Sequence, residues 1–245
     1  MKTKLIHFLL TLDVEPSPVN ALPCLPKLFK KAGITGTIFV TGQISNVVEP
    51  FLDLGWSIQT HTHPNLHLEF NGSYRLADYS YSSQLAMIQR DKEMIEKNLN
   101  IKSNAFRAGK LSMNNLTLNA LNELGFKIDS SSLIPYVFRL KAISKRPWNP
   151  YKLNIGELIE VPVTHWIDDP AKDRNLWMKI RFIKAIESDA AICLLLHPHS
   201  LTSDALFQRL EKMILRLSRI GDFLTVGDLV NSRFQDPSLS SPTNP

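Results

Sequence analysis

Three of the seven histidines in the chain, His61, His63 and His67, fall between Thr60 and His67. Side chains two apart in an extended segment share a face, so His61 and His63 can address one ion; His63 and His67, four apart, can do the same from a helical turn. Either pair chelates, so the cluster points to a metal without fixing which histidines hold it. Asp13 and Glu15 have the same two-residue spacing at the end of an apolar run. Two carboxylates beside one cation can divide the roles of ligand and base. A donor set of imidazoles and a carboxylate suits zinc, with iron, cobalt, nickel and manganese as alternatives. Three protein ligands leave a place for water beside a polarised carbonyl, which is the arrangement of metal-assisted hydrolysis.

Other residues of the same chemical kind recur at matching places. Leu5 to Leu12 runs into Asp13-Val14-Glu15, Trp56 to Thr60 into His61, and Ala105-Phe106 into Arg107. Phe126 to Ile128 runs into Asp129, Leu158 to Thr164 into His165, and Ala190 to Leu196 into His197. Strands end in polar residues in any protein, but this set is weighted towards ligands, acids and bases. Between the runs lie helical patterns at Leu25 to Ala32, Ile44 to Leu54, Ser82 to Leu99, Asn114 to Leu124 before Gly125, and Ser203 to Ile220,. Short strands are expected at Gly36 to Val40 and near Phe223-Leu224, while Leu133 to Asn154 shows no regular pattern. Strands alternating with helices predict an α/β fold with a mainly parallel sheet, open or closed into a barrel. In a parallel barrel the carboxyl ends of the strands share one rim, where the polar exit residues would converge.

Composition narrows the class. The chain has 245 residues, 44% of them apolar, with no internal repeat, and reads as one domain over residues 1–234 with a disordered Ser/Pro-rich tail over residues 235–245,. A net charge of +5 favours anionic partners,. Basic residues are not clustered with aromatics, so nucleic acid is not an expected partner,. Cys24 and Cys193 each sit in apolar company and read as buried free thiols of a reducing compartment,. Met1 to Leu10 imitates a leader, but His7 interrupts it and Asp13, Glu15 and Pro16 follow without a cleavage site, so it reads as a first strand,. No run reaches the roughly 18 apolar residues of a membrane span,. The expectation is a soluble, cytoplasmic protein.

Thr11-Leu12-Asp13-Val14-Glu15, His61-Thr62-His63-Pro64, Phe106-Arg107-Ala108-Gly109 and Leu195-Leu196-His197-Pro198-His199-Ser200 resemble, in order, the motifs of the polysaccharide deacetylases with a NodB-type homology domain. The branch most similar has DVE, HxHP and FRAG motifs and occurs in surface-polysaccharide biosynthesis. Arg75-Leu76-Ala77-Asp78-Tyr79, Ile128-Asp129-Ser130-Ser131 and Glu160-Val161-Pro162-Val163 look like that branch too. The resemblance spans roughly residues 5–230. It implies a deformed (β/α) barrel of about seven strands and a metal-dependent hydrolase that removes an acetyl or other small acyl group from an N-acylated sugar or polysaccharide. By the same resemblance Asp13 is the catalytic base, Arg107 orients it, and His197 is the catalytic acid. Glu15, His61 and His63 are the expected metal ligands, for Zn2+ or another divalent transition metal. The commoner pattern places the second histidine four residues after the first, where this chain has Asn65, so His63 is the first choice and His67 the reserve. Asp129 sits near the motif that orients the acid, and peripheral association with membrane-bound glycan machinery is compatible with the resemblance.

Competing readings attach to particular residues. His199 can replace His197 as the acid, since only one of two alternating residues faces a cavity from an extended segment. Trp148, Trp166 and Trp177 can stack on sugar rings or fill the core. Asn65, and Val14 where many relatives have a second aspartate, admit a catalytically inactive glycan-binding barrel. The chemistry also admits a metal-dependent amidohydrolase acting on a non-sugar amide.

Overall fold

The computed structural model describes residues 5–17, 21–70, 72–133, 147–168, 174–187 and 189–234. The tail expected over 235–245 and residues 134–146 of the irregular region lie outside them. Among the described residues the strands are β1 (Leu5–Val14), β2 (Thr37–Val40), β3 (Ser57–Thr62), β4 (Ala105–Ala108), β5 (Ile128–Asp129), β6 (Tyr151–Lys152), β7 (Ile159–Glu160), β8 (Val163–Trp166), β9 (Asp189–Leu196) and β10 (Asp222–Phe223). They form one sheet in the order β6-β7-β5-β4-β3-β2-β1-β9-β8, with β10 against the first half of β1. Every pairing is parallel except β6 with β7.

The sheet curls back on itself because β7 and β8 are one run broken at Pro162, which has no N–H to donate to a ladder,. The run pairs with β5 at its start and with β9 at its end. Val161 N–H donates to the Asp129 carbonyl and Val163 N–H to that of Ser132, each at 2.8 Å, and Leu133 bridges to Val163. Seven strand positions thus follow one another around a deformed barrel, as the resemblance implied, within a single α/β domain.

The helices are α1 (Leu25–Ala32), α2 (Tyr81–Leu99), α3 (Asn115–Glu123), α4 (Arg174–Ile186), α5 (Asp204–Leu217) and α6 (Val226–Phe234). Ser80 caps α2, Asn114 and Thr117 make a reciprocal capping box on α3, and Ser203 caps α5,. Alternation along the strands separates two cores. Ile6, Phe8, Leu10 and Leu12 of β1 pack outward under the helices, while Leu9 joins Phe39, Ala105, Ile128, Val161, Val163, Ala191, Cys193 and Leu195 inside the ring. Val226 and Leu229 of α6 join that inner cluster, and the Val226 N–H donates to Thr37 Oγ1 at the first residue of β2. The end of the barrel opposite the strand exits is therefore plugged, which leaves the rim at the carboxyl ends for chemistry.

Three expectations need correction. Gly42–Leu54 forms tight 3-10 turns in place of the helix expected at Ile44 to Leu54, since Ile44 is non-helical and Pro50 removes a donor inside the segment,. Cys24 is exposed, because it sits between two prolines on the short turn that precedes α1; Cys193 is buried, and both thiols are free. The helices α4 and α6 have no counterpart in the sequence reading. No described helix is long and apolar enough to cross a membrane.

Candidate active site

Parity decides which exit residues reach the rim cavity. The inner face of β1 runs Leu9, Thr11, Asp13, and continues to Glu15 just past the strand; β3 presents Gln59 and His61 and then His63; β4 presents Arg107; β9 leads through Cys193 and Leu195 to His197. Asp13, Glu15, His61, His63, Arg107 and His197, the six residues expected to carry the chemistry, are thereby brought together.

Glu15 Oε1 lies 3.0 Å from His63 Nε2 and 3.4 Å from His61 Nε2. The imidazoles meet nearly edge to face, at 76° with centroids 5.1 Å apart. His61 Nδ1–H donates to the Arg107 carbonyl at 2.8 Å, and His63 Nδ1–H donates to Asn65 Oδ1 at 3.1 Å. Each neutral ring thus turns a bare Nε2 lone pair towards the Glu15 carboxylate. Three acceptors aimed at one point repel unless a cation sits among them, and His63 Nε2 has no hydrogen-bond partner although it is buried. This is a fit for a divalent metal: the ligand atoms converge, and the Arg107 and Asn65 oxygens fix both tautomers,. The electrostatics favour a positive charge at this point. Burial opposes the Glu15 carboxylate, yet the two imidazoles hold it far below the usual carboxylate range. Burial likewise disfavours a charged His61, but Asp13 and Glu15 outweigh it and raise its affinity for a proton.

Gly109 closes the far side of this cluster. A Cβ there would lie 2.5 Å from His63 Cδ2 and 2.6 Å from Nε2, so only glycine lets the ring sit where it does,. Asn65 carries no ligand role but supplies the tautomer-fixing acceptor. His67, the reserve ligand, is turned away: its Nε2 meets Asp91 Oδ2 of α2 at 3.0 Å in a pair that is fully buried.

Asp13 faces the same cavity. Its Oδ1 accepts from Arg107 Nη1 at 2.7 Å. Arg107 is wholly buried and also donates from Nε to the Ser130 carbonyl, from Nη1 to Thr11 Oγ1 and from Nη2 to Ser130 Oγ, at 2.7 to 2.9 Å, with its guanidinium over the Phe39 ring at 4.2 Å. A fork held by this many partners fixes the Asp13 carboxylate as a point charge could not.

Across the cavity His197 Nε2 lies 4.0 Å from Asp13 Oδ2. Its backbone N–H and its Nδ1–H both donate to Asp168, each at 2.8 Å, which leaves Nε2 towards Asp13. Burial lowers the pKa of His197, but the Asp168 hydrogen bond and the charges of Asp13, Asp168 and Glu15 prevail and push it up to about 9. Trp166, 48% exposed, stands edge-on to this ring with centroids 6.5 Å apart. His199 packs beside His197 at 5.4 Å between centroids. Trp148 is core, donating to Glu187 Oε2 at 2.6 Å.

Asp168, not Asp129, is the carboxylate on His197. The sequence reading ended the β8 run at Thr164 and took His165 as its exit, whereas the strand continues to Trp166 across a bulge and Asp168 is the residue that emerges,. His165 stays buried inside the strand, where burial and Lys179 push it down to about 4. Asp129 misses the cavity by parity: Ile128 faces inward, so Asp129 faces outward with its register partner Glu160. Its neighbours Ser130 and Ser131 do serve the site, Ser130 through Arg107 and Ser131 by accepting from the Ala108 N–H at 2.9 Å.

Comparison with known proteins agrees with this fold. No curated protein sequence matches the chain. Its fold is similar to a polysaccharide deacetylase homologue from Mycobacterium smegmatis (TM-score 0.73, 18% identity, 100% of this chain and 95% of that one). It is also similar to the chitin deacetylase of Colletotrichum lindemuthianum (TM-score 0.59, 18% identity, 91% and 86%) and to a CE4 family pseudoenzyme from Bacillus anthracis (TM-score 0.58, 16% identity, 94% and 66%). The family model described as polysaccharide deacetylase matches residues 2–128, the half that contains Asp13, Glu15, His61, His63 and Arg107, and so the chain belongs to the polysaccharide deacetylase family.

Proposed function

We propose that this protein is a metal-dependent carbohydrate N-deacetylase, with Glu15, His61 and His63 as the ligands of Zn2+ or another divalent transition metal. The observation that carries this reading is the convergence of three lone-pair atoms, one of them a buried and unpartnered Nε2, on a point flanked by Asp13 and His197. A divalent ion bound there supplies Lewis acidity towards water and the acyl oxygen.

The chain's own groups divide the remaining work. Asp13 Oδ2, free of Arg107, is the base that accepts a proton from the attacking water,. Arg107 keeps Asp13 aimed. An amine leaves poorly unless it is protonated, and His197 Nε2, charged at neutral pH and opposite the base, is the donor,. Trp166 offers an exposed ring beside His197 on which a sugar can stack,. The motif set shared with enzymes of surface-polysaccharide biosynthesis makes an intermediate of that process our preferred substrate. The two free thiols support a reducing compartment, in line with a cytoplasmic location.

The test is acetate release from a panel of N-acetylhexosamine sugars by the zinc-loaded protein, with metal content measured alongside. Asp13→Asn is expected to lose about a thousandfold in turnover, within the range for removing a general base, and to keep its metal. Glu15→Ala and His61→Ala are expected to lose metal as well. Full turnover in Asp13→Asn would remove this mechanism, and absence of bound metal from the wild type under zinc loading would favour the inactive-barrel reading.

A further inference from the structure

The geometry points to an anion-binding subsite on the rim beside His63, formed by Lys110 over Tyr74 with Arg75 adjacent in sequence, and to a substrate glycan that bears a carboxylate or phosphate group. This inference rests on the deacetylase reading for the position of the sugar but is carried by different residues.

β4 leaves the barrel through Gly109, whose backbone lies against the His63 ring. The next two residues, Lys110 and Leu111, both adopt left-handed backbone, with φ of +55° and +51°. Residues with a Cβ rarely do so, and such strain persists where the surroundings impose it, typically at binding sites. Lys110 is exposed, and its Nζ sits 4.7 Å from the centroid of the Tyr74 ring, itself 60% exposed. An aromatic face holds an ammonium in place without using up its N–H donors.

The loop that presents Tyr74 and Arg75 is built firmly. Leu76 is fully buried, Tyr79 OH donates to the Ser73 carbonyl at 2.8 Å, and the Arg75 N–H donates to Ser73 Oγ at 3.0 Å. Asn114 Nδ2 donates to the Ala77 carbonyl at 2.8 Å, and the Ala77 N–H donates to Ser112 Oγ, which ties this loop to the one that carries Lys110. The segment Ser73 to Tyr79 thus holds the Tyr74 ring under Lys110 beside the β4 exit. Among the described residues no ion pair involves Lys110 or Arg75, and the nearby Asp78 accepts from Ser73 Oγ. An exposed ammonium seated on the Tyr74 ring, with no carboxylate partner among the described residues, suits a sugar oxyanion on a rim that receives a sugar, since an ammonium acts there as a point charge,. The chain's net charge of +5 has the sign such a substrate requires,.

Equilibrium binding to the zinc-loaded full chain tests this with three sugars. They are a neutral N-acetylglucosamine tetrasaccharide, a tetrasaccharide alternating N-acetylglucosamine with glucuronate, and uridine diphosphate N-acetylglucosamine. At least one acidic sugar is expected to bind about fivefold more tightly than the neutral one, the scale of a solvent-exposed charge contact. The preference should fade with added salt and vanish in Lys110→Gln. Whether the carboxylate or the diphosphate shows it identifies the source of the charge. Equal affinity for all three, or a preference that survives Lys110→Gln, overturns the subsite. Acetate release in the same samples reads the other claim: a wild type that prefers the acidic sugar but releases acetate from none refutes the deacetylase reading and leaves the subsite standing.

Discussion

Asp168 shows how much one carboxylate can set. Both its oxygens are spent on His197, so it fixes the rotation of the ring and raises its pKa at once. A donor with a pKa of about 9 keeps its proton at neutral pH and loses it as the pH rises through 9, so the alkaline limb of the rate profile should fall there,. Asp168→Asn retains the shape and removes the charge, and its alkaline limb is expected to move towards the ordinary histidine value. An unmoved limb would mean that His197 is not the group titrating. Asn65 acts in the same indirect way on His63. Asn65→Ala should weaken zinc binding by about tenfold, the usual effect of removing the hydrogen-bond partner of a ligating histidine, as read by chelator competition.

At the scale of elements, register along β1, β3, β4 and β9 carries the site, and this was legible in the sequence wherever a strand was long or its neighbours regular. The run from Leu5 to Leu12 pairs with β9 along most of its length, so the residues after it were bound to emerge at the rim. The short strands were harder. β5 has two residues and β8 contains a bulge, and a one-residue shift exchanges inside for outside,. That is why the sequence points to Asp129 near the acid and gives no sign of Asp168. The amphipathic helices α4 and α6 were missed because their apolar positions are interleaved with charged ones. The outward position of Asp129 has its own consequence at the β5–β7 seam. Burial, against the Ser131 hydrogen bond, raises its pKa from the ordinary 3.8 to about 6, and burial also raises Glu160. The folded pKa is the higher one, so the protonated pair's contribution to stability is fully present below the unfolded value and is lost as the pH rises through about 6,. Asp129→Asn cannot ionise. Its Tm relative to the wild type should therefore rise by a few degrees between pH 5 and pH 8, and a difference that does not change with pH would refute a raised Asp129 pKa.

For the whole molecule, the ring of strands makes metal binding a folding term. His61 stands on β3, and Glu15 and His63 lie just past β1 and β3, which β2 holds side by side only in the folded sheet, so an unfolded chain offers no such site,. Zinc at a thousandfold excess over Kd should stabilise the fold by about 4 kcal/mol, which for a chain of this length raises Tm by roughly 10 °C. Differential scanning with and without zinc reads this directly, and His61→Ala should show almost none of the shift. The loops tell a different story from the strands. Residues 73–79 and 110–114 are bonded to one another through Ala77, Ser112 and Asn114, and the chemistry sits on ladders they do not interrupt. Recognition and reaction are thus separable modules, and a descendant lineage could trade one sugar for another by rewriting two neighbouring loops while inheriting its catalytic machinery untouched.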